Sequence, residues 1–565
     1  MTHIYSKLFL SLYLFLNLSL NFSISNAQTI SENGMVSSAS ELASQVGVNI
    51  LKKGGNAIDA AVAVGFALAV TYPSAGNIGG GGFMVIHFAD GKQTTIDYRE
   101  KAPLSSYEKM FLDSLGNYDV TYSSEGPKSV AIPGSVAGLL YALKKYGTLS
   151  LDEVIQPAID LAEYGFLLDS SLACSFQYMR EEFRRYESSL KIFSVKGEYF
   201  FPGDNFRQTD LAKTLRLIKE NGADGFYKGE VADLFIKQIN SFGGNVTHED
   251  LLQYKPVERE PVVGYYKGLK VVSMGPPSSG GISLIQMLNT IENFNFTKEE
   301  RGSSKYIHTL VEAMKYSFAD RSLHAADEDF FPVPKQWLIS DAYGKQIAER
   351  IGEFAITSDS IKPGTPEYWG ESDETTHYSV IDVYGNAVST TTTINSSYGS
   401  KIVVEGAGFL LNNEMDDFSS KPGEPNQFGL VGNVANAIQP AKRMVSSMTP
   451  TIILKDEKPY LIVGSPGGST IPTVVLQVIL NCVNFNMNIK DAIDAARIHH
   501  QWLPDKIDYE ILSLTPETLN SLIERGQIIG DERSLGRVDG ILIDQSTGTI
   551  YGWSDSRGYG KAIGY

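Results

Sequence analysis

Thr375-Thr376-His377 opens a run, TTHYSV, that follows directly on a stretch rich in Ser, Asp, Pro, Gly and Glu at residues 357–374. A threonine hydroxyl is a poor nucleophile unless a base adjoins it. A threonine at the start of a chain supplies that base itself, through its own α-amine. The amine has a reference pKa of about 7.7–8.0, so a useful fraction is neutral at physiological pH. A cut between Glu374 and Thr375 would therefore convert a strand residue into an acyl-transfer nucleophile. On their own these threonines read equally as β-formers on a strand, and so does the second run, residues 390–393, which leads into Asn395.

Other groups suggest chemistry less directly. Gly79 to Gly82 is not followed by the Gly-Lys-Ser/Thr of a phosphate loop, so the glycines are read as close backbone packing ahead of a hairpin. His499 and His500 are adjacent, which on a strand turns them to opposite faces, and no third ligand lies at a useful spacing; metal catalysis is not expected. Cys174 and Cys482 are the only cysteines, too few for a disulfide framework or a paired-Cys zinc site. Cys482 lies in an apolar helical stretch and reads as inert core.

The elements that must position these groups follow from periodicity. Residues 40–53 carry Leu42, Val46, Ile50 and Leu51 at helical spacing and stop at Gly54-Gly55. Residues 57–72 are apolar apart from Asp59 and too short for a confident membrane span, so they predict a buried helix. Further helical patterns cover 133–146, 281–294, 306–321 and 470–484. Asp90-Gly91 predicts a hairpin of 82–87 with 93–98. Three more hairpins are expected: 378–383 with 388–394, 451–454 with 460–463, and 540–544 with 549–553. Helices early and antiparallel strands late predict an α+β fold with sheets covered by helices. Residues 357–374 read as an exposed, protease-prone loop.

Composition bounds the partners. The 565 residues carry 48 Lys plus Arg against 65 Asp plus Glu, a formal net charge of −17, which argues against nucleic acid or an anionic bilayer as the main partner. Lys7, the apolar stretch 8–22 and Ser25-Asn26-Ala27 form the pattern of a cleaved export signal, with the mature chain starting near Gln28 in the periplasm or outside the cell. The alternative is an uncleaved anchor helix over the same residues. No membrane span is expected once the signal is removed.

The segment TTHYSVIDVYGNAVSTTTTIN resembles the start of the small subunit of γ-glutamyltransferases. GGNAIDAAVAV, GNIGGGGFMV, DYREKAP, PPSSGG, VEAMKYSFADRS, LLNNEMDDF, SSMTPTI, GSPGGS and HHQWLPD continue the match in family order, from about Ser37 to Tyr565. The resemblance implies an N-terminal-nucleophile hydrolase fold, a four-layer αββα sandwich. One precursor would cut itself into a large part, 28–374, and a small part, 375–565, that stay paired. It implies Thr375 as nucleophile and Thr393 as the hydroxyl that orients it. Asn395, Glu414 and Asp417 would contact the α-amino end of a γ-glutamyl substrate, and Arg99, Ser446 and Ser447 its α-carboxylate. Planar Arg suits that last task. Gly467-Gly468 would form the oxyanion hole, where bare backbone lets N–H groups approach closely.

So read, the chain is an enzyme that cleaves glutathione and related γ-glutamyl amides and passes the acyl group to water or to amino acids or dipeptides, with no cofactor. Residues 421–433 are long enough for a lid over the site, and its aromatic is Phe428 where bacterial relatives with such a lid often have tyrosine. Phe can pack but cannot hydrogen-bond through its ring, which leaves the tightness of closure open. Two rivals share the resemblance: a cephalosporin or glutaryl acylase, whose substrate has no α-ammonium, and a catalytically silent binding relative, against which the intact Thr375, Thr393 and glycine pair speak.

Overall fold

The computed structural model describes residues 27–364 and 376–565. Residues 1–26 of the expected export signal 1–27, and Glu374 and Thr375 at the expected cut, lie outside the described residues. Numbering only the strands of the two large sheets, β1 is Thr29–Ser31, β2 Met35–Ser38, β3 Gly81–His87, β4 Gln93–Asp97, β5 Val257–Arg259, β6 Val262–Tyr266 and β7 Leu269–Ser273. Then follow β8 Thr376–Ile381, β9 Ala387–Thr393, β10 Thr451–Lys455, β11 Lys458–Gly464, β12 Asp539–Ile543, β13 Ile550–Ser554 and β14 Lys561–Gly564. One seven-stranded sheet runs β14-β2-β8-β9-β3-β4-β5 and the other β1-β13-β12-β11-β10-β7-β6.

Strand β3 shows why these layers form. Its residues alternate between faces, as the two-residue period of a strand requires. Phe83 and Val85 join Val272, Ile452, Ile462 and Ile541 of the opposite sheet in the layer between the sheets. Met84 and Ile86 turn outward and pack, with Val380 and Val388, against a helical layer that includes Glu41–Lys52, Ala57–Thr71 and Ser135–Tyr146. On the far side Val271, Ile453, Leu461 and Val463 meet Gly280–Ile291, Ser304–His324 and Ile471–Val483. Helix, sheet, sheet, helix is the order, as the α+β reading expects.

The two parts on either side of residue 375 are interleaved. Strands β8 and β9 lie between β2 and β3, with β10 and β11 between β7 and β12. A backbone cut would therefore leave ladder hydrogen bonds joining the two chains on both sheets.

The apolar stretch around Asp59 is the helix Ala57–Thr71, buried along its whole length. Asp59 caps it: Oδ2 accepts from the Asn56 N–H at 2.8 Å and from the Thr148 hydroxyl at 2.6 Å, and Oδ1 from the Thr148 N–H at 2.9 Å. The segment read as a wholly exposed loop departs from that reading at its start. Ser358 and Ile361 are buried, because the Ser358 N–H donates to Asp505 at 2.8 Å and the Trp502 indole donates to the Ser358 carbonyl at 2.9 Å. Those partners lie more than a hundred residues downstream, beyond the reach of local composition.

Asp59→Ala should remove the acceptor of the half-buried bonds from the Asn56 and Thr148 N–H groups and the Thr148 hydroxyl and lower unfolding free energy by about 1.5–3 kcal/mol, while Asp59→Asn, which keeps one acceptor, should lose less. Urea midpoints of the three proteins check this; an Asp59→Ala midpoint equal to wild type would contradict it.

Candidate active site

Arg99 follows the end of β4, Thr393 ends β9, Thr376 begins β8, Ser446 and Ser447 precede β10, and Gly467 and Gly468 follow β11. Antiparallel pairing brings these ends together: Thr376 opposes Thr392, Thr393 opposes Gly81, and Phe83 opposes Asp97. The sequence-separated residues thus gather at one end of the sandwich.

Arg99 is entirely buried. Its guanidinium donates to Glu414 and Asp417, lies 3.5 Å from Glu100, and donates to the Met444 and Val445 carbonyls at 3.2 and 3.1 Å. Asp97 accepts the Arg99 backbone N–H at 2.9 Å and pairs through its carboxylate with Arg259 and Arg443. Burial by itself would lower the Arg99 pKa, but the carboxylates of Glu414, Asp417 and Glu100 outweigh it and hold the guanidinium above its ordinary value.

The acids respond in the opposite direction. Burial raises the Glu100 carboxyl well above the usual range, helped by the neighbouring Glu414. Burial also raises Glu414, against the pull of Arg99. A carboxyl kept protonated between the two lets them sit side by side. Asp416, next in the turn, is raised to about 6 by burial although Ser123 and Gln427 hydrogen-bond to it. Asn436 ties this turn to the serine loop, donating to the Asp417 carbonyl at 2.7 Å and accepting from the Val445 N–H at 3.3 Å. Glu100 and Asp416 were not singled out from sequence, though both sit inside the quoted motifs DYREKAP and NNEMDD.

Thr393 accepts the Asn395 N–H on its hydroxyl oxygen at 2.7 Å, leaving the hydroxyl proton for another acceptor. Asn395 holds a left-handed φ of 68° and donates to the Asn413 carbonyl at 2.9 Å. Gly80 explains the glycine run: a Cβ there would stand 1.9 Å from the Thr393 carbonyl. Gly467 has φ 134° and Gly468 begins a turn leading into the helix Ile471–Val483, and the first N–H groups of such a turn have no partner within it. Among the described residues, Thr376 Oγ1, Asn395 Oδ1 and Ser447 Oγ are buried polar atoms without a hydrogen-bond partner. Buried polar groups are ordinarily satisfied, so each of these atoms has bonding capacity left for a polar partner.

The stretch 421–433 runs beside the acidic turn and Ser396. The Gln427 N–H donates to Asp416 at 3.3 Å and Gln427 Oε1 accepts the Ser396 hydroxyl at 2.8 Å. Half-buried Phe428 is held by its backbone: its N–H donates to Asn426 at 3.0 Å and its carbonyl accepts from Gln501 at 3.2 Å. His377 lies two residues beyond Thr375, but its ring nitrogens are taken up by the Thr391 and Ser379 hydroxyls, each at 3.0 Å. Burial lowers its pKa to about 3. Cys482 is buried core with its thiol pushed up to about 12. His499 and His500 bond to different partners, Thr473 and Asp505.

The family pattern described as Gamma-glutamyltranspeptidase matches residues 43–565. The glutathione hydrolase proenzyme of Escherichia coli (strain K12) is 48% identical over 528 residues, covering 93% of this chain and 90% of that one. The crystal structure of Helicobacter pylori gamma-glutamyltranspeptidase is similar with a TM-score of 0.57 and 49% identity, covering 58% of this chain and 95% of that one. That of cephalosporin acylase from Bacillus halodurans is similar with a TM-score of 0.85 and 29% identity, covering 96% and 98%.

With its pKa near 3, His377 should stay neutral from pH 5 to 8. The folded form then binds fewer protons than the unfolded one, so the stability contributed by this residue is complete above about pH 6.5 and is lost as pH falls toward 3. Histidine NMR of 13C-labelled protein should show its ring unchanged between pH 5 and 8. A midpoint near 6.5 for that resonance would contradict the buried, neutral assignment.

Proposed function

This chain belongs to the gamma-glutamyltranspeptidase family, and from that premise we propose that it matures by cutting itself between Glu374 and Thr375 and then transfers γ-glutamyl groups from glutathione and related amides. The observation that carries the reading is the fully buried Arg99 held between Glu414 and Asp417. A γ-glutamyl head is a zwitterion. Its carboxylate needs a cation, its ammonium needs anions, and both must stand at fixed separation in a dry pocket. Arg99, with Ser446 and Ser447, takes the carboxylate; Glu414, Asp417 and Asn395 take the ammonium. Before substrate arrives the protein charges satisfy one another, so binding exchanges partners without adding net charge.

In the reaction, Thr375 Oγ attacks the γ-carbonyl carbon while the Thr375 α-amine accepts the hydroxyl proton. Thr393 orients the nucleophile. Its register partner sits at the start of β3, and the Thr376–Thr392 pair precedes it by one position, which supports that role. The N–H groups at Gly467 and Gly468 receive the developing oxyanion. Collapse expels the amine product, which takes the proton from the α-ammonium. A water or the amine of an amino acid or dipeptide then gives its proton to the same α-amine and attacks the acyl carbonyl; the bond to Thr375 Oγ breaks, Oγ takes the proton back from the α-ammonium, and the free acid or new amide leaves. The large and small parts, 28–374 and 375–565, remain paired through the interleaved sheets. The residues before Gln28 direct export to the periplasm or beyond. Among the described residues no helix is long and apolar enough to cross a membrane.

Two variants test the proposal. Thr375→Ala should remain one uncut chain on a denaturing gel, since the hydroxyl attacks the Glu374 carbonyl during maturation; normal cleavage would mean that another protease acts. Arg99→Ala should still yield two chains, because no substrate carboxylate takes part in maturation, yet lose about 30- to 4,000-fold in kcat/KM, chiefly through KM. Arg99→Lys should recover only part of this, since a point charge cannot make the forked contact. A KM for Arg99→Ala within about threefold of wild type would remove Arg99 from the site.

A further inference from the structure

Gln501 joins two parts of the site that are distant in sequence. Its amide nitrogen donates to the Phe428 carbonyl and to the Leu503 carbonyl, both at 3.2 Å. Its amide oxygen accepts the Ser469 hydroxyl at 2.6 Å and faces His499 Nε2 at 3.1 Å. The two carbonyls settle which end of the amide is nitrogen, because an oxygen there would meet only acceptors. With the nitrogen so placed, His499 must present an N–H to the amide oxygen. Burial keeps that ring neutral, its pKa lowered to about 3, so the arrangement holds without change through neutral pH.

The two ends of this bridge matter for the reaction. Ser469 directly follows Gly467-Gly468, and Phe428 lies in the middle of the 421–433 stretch. On its other side that stretch is tied to the acidic turn and to Ser396, the neighbour of Asn395. Gly429 sits against the bridge: with φ 73°, a Cβ there would come 3.3 Å from the Gln501 amide nitrogen. The loop containing Gln501 is itself braced, with the Trp502 N–H donating to His500 and the Trp502 indole to Ser358. A phenylalanine ring cannot fasten the stretch by a hydrogen bond; the backbone carbonyl of the same residue does.

We propose that Gln501 is a positioning residue that latches the 421–433 stretch closed over the acyl-enzyme and thereby sets how the acyl group divides between water and amine acceptors. This rests on the γ-glutamyltransferase reading above. Among the described residues the Gln501 side chain bonds to Phe428, Leu503, Ser469 and His499. It acts through the stretch it holds, against the turn that carries the glycine pair. Opening admits bulk water to the acyl carbonyl, so loss of the latch favours hydrolysis over transfer.

Gln501→Glu keeps the shape and the contacts of the amide oxygen but sets a carboxylate oxygen against two carbonyls, and Gln501→Leu removes every polar contact. Both should mature to two chains. Each bond lost should shift the closed-to-open ratio by about 2- to 12-fold. Two readouts are made on the mature proteins: chymotryptic cleavage after Phe428, and the ratio of transfer to hydrolysis with γ-glutamyl-p-nitroanilide and glycylglycine as acceptor. Faster cleavage after Phe428 together with a transfer-to-hydrolysis ratio lowered by a similar factor, at a donor KM within about threefold of wild type, supports the latch. Unchanged cleavage in both variants overturns it, and so does faster cleavage with an unchanged ratio. The cleavage readout needs no activity. If wild type turned over no γ-glutamyl anilide, the functional reading would fail while the cleavage rates still judged the latch.

Discussion

A guanidinium removed entirely from water must be met by carboxylates, and the site is organised around that requirement at Arg99. The partners come from a strand end and a turn more than three hundred residues apart, so the pairing draws the two expected parts of the chain onto one point. Arg99 also donates to the Met444 and Val445 carbonyls, which sets the loop that continues into Ser446 and Ser447. Asp97, two residues earlier, does the complementary job by gathering Arg259 and Arg443. Charge pairs of this kind add little net stability once desolvation is counted. Their value here is geometric: they hold a cation and two anions at a spacing that a zwitterion can occupy.

The same economy appears around the proposed nucleophile. Buried polar atoms on Thr376, Asn395 and Ser447 lack partners among the described residues, and each contributes unfavourably until something polar arrives. Gly80 allows β3 to press against the Thr393 carbonyl, while the neutral, doubly bonded His377 fills the space behind without competing for a proton. That division is consistent with the proposed role of the terminal amine as base, with the histidine as packing.

Much of this was legible in the residues, and the limits have physical causes. Helices with strong periodicity and the Asp90-Gly91 hairpin depend on neighbours in sequence, so their patterns sufficed; the helix Glu41–Lys52 falls within the expected residues 40–53. The short edge strands β1 and β14 were not singled out, because their pairing partners are remote; the hairpin of β6 with β7 is local, and was missed although Lys267-Gly268 makes a two-residue turn between them. The helix Leu151–Tyr164 was missed although Ser150 and Glu153 form a capping box that could have announced it. At the site, the residue types that recognise a zwitterion emerged through family resemblance, and the structure brings Arg99, Glu414 and Asp417 into contact. That Arg99 would be wholly buried, that Glu100 would share its pocket, and that Gln501 would reach the Phe428 carbonyl are products of tertiary packing, which no local pattern encodes.

The claim on which the rest depends is that this pocket recognises both charges of an amino-acid head. The most direct measurement compares kcat/KM for γ-glutamyl-p-nitroanilide and glutaryl-p-nitroanilide, which differ only in the α-amino group, on the same mature protein. If Glu414 and Asp417 receive an α-ammonium, the γ-glutamyl substrate should be favoured by at least about 30-fold, the lower bound for losing one member of a buried charge pair. Equal values, or a preference for the glutaryl compound, would contradict the account and favour the acylase reading.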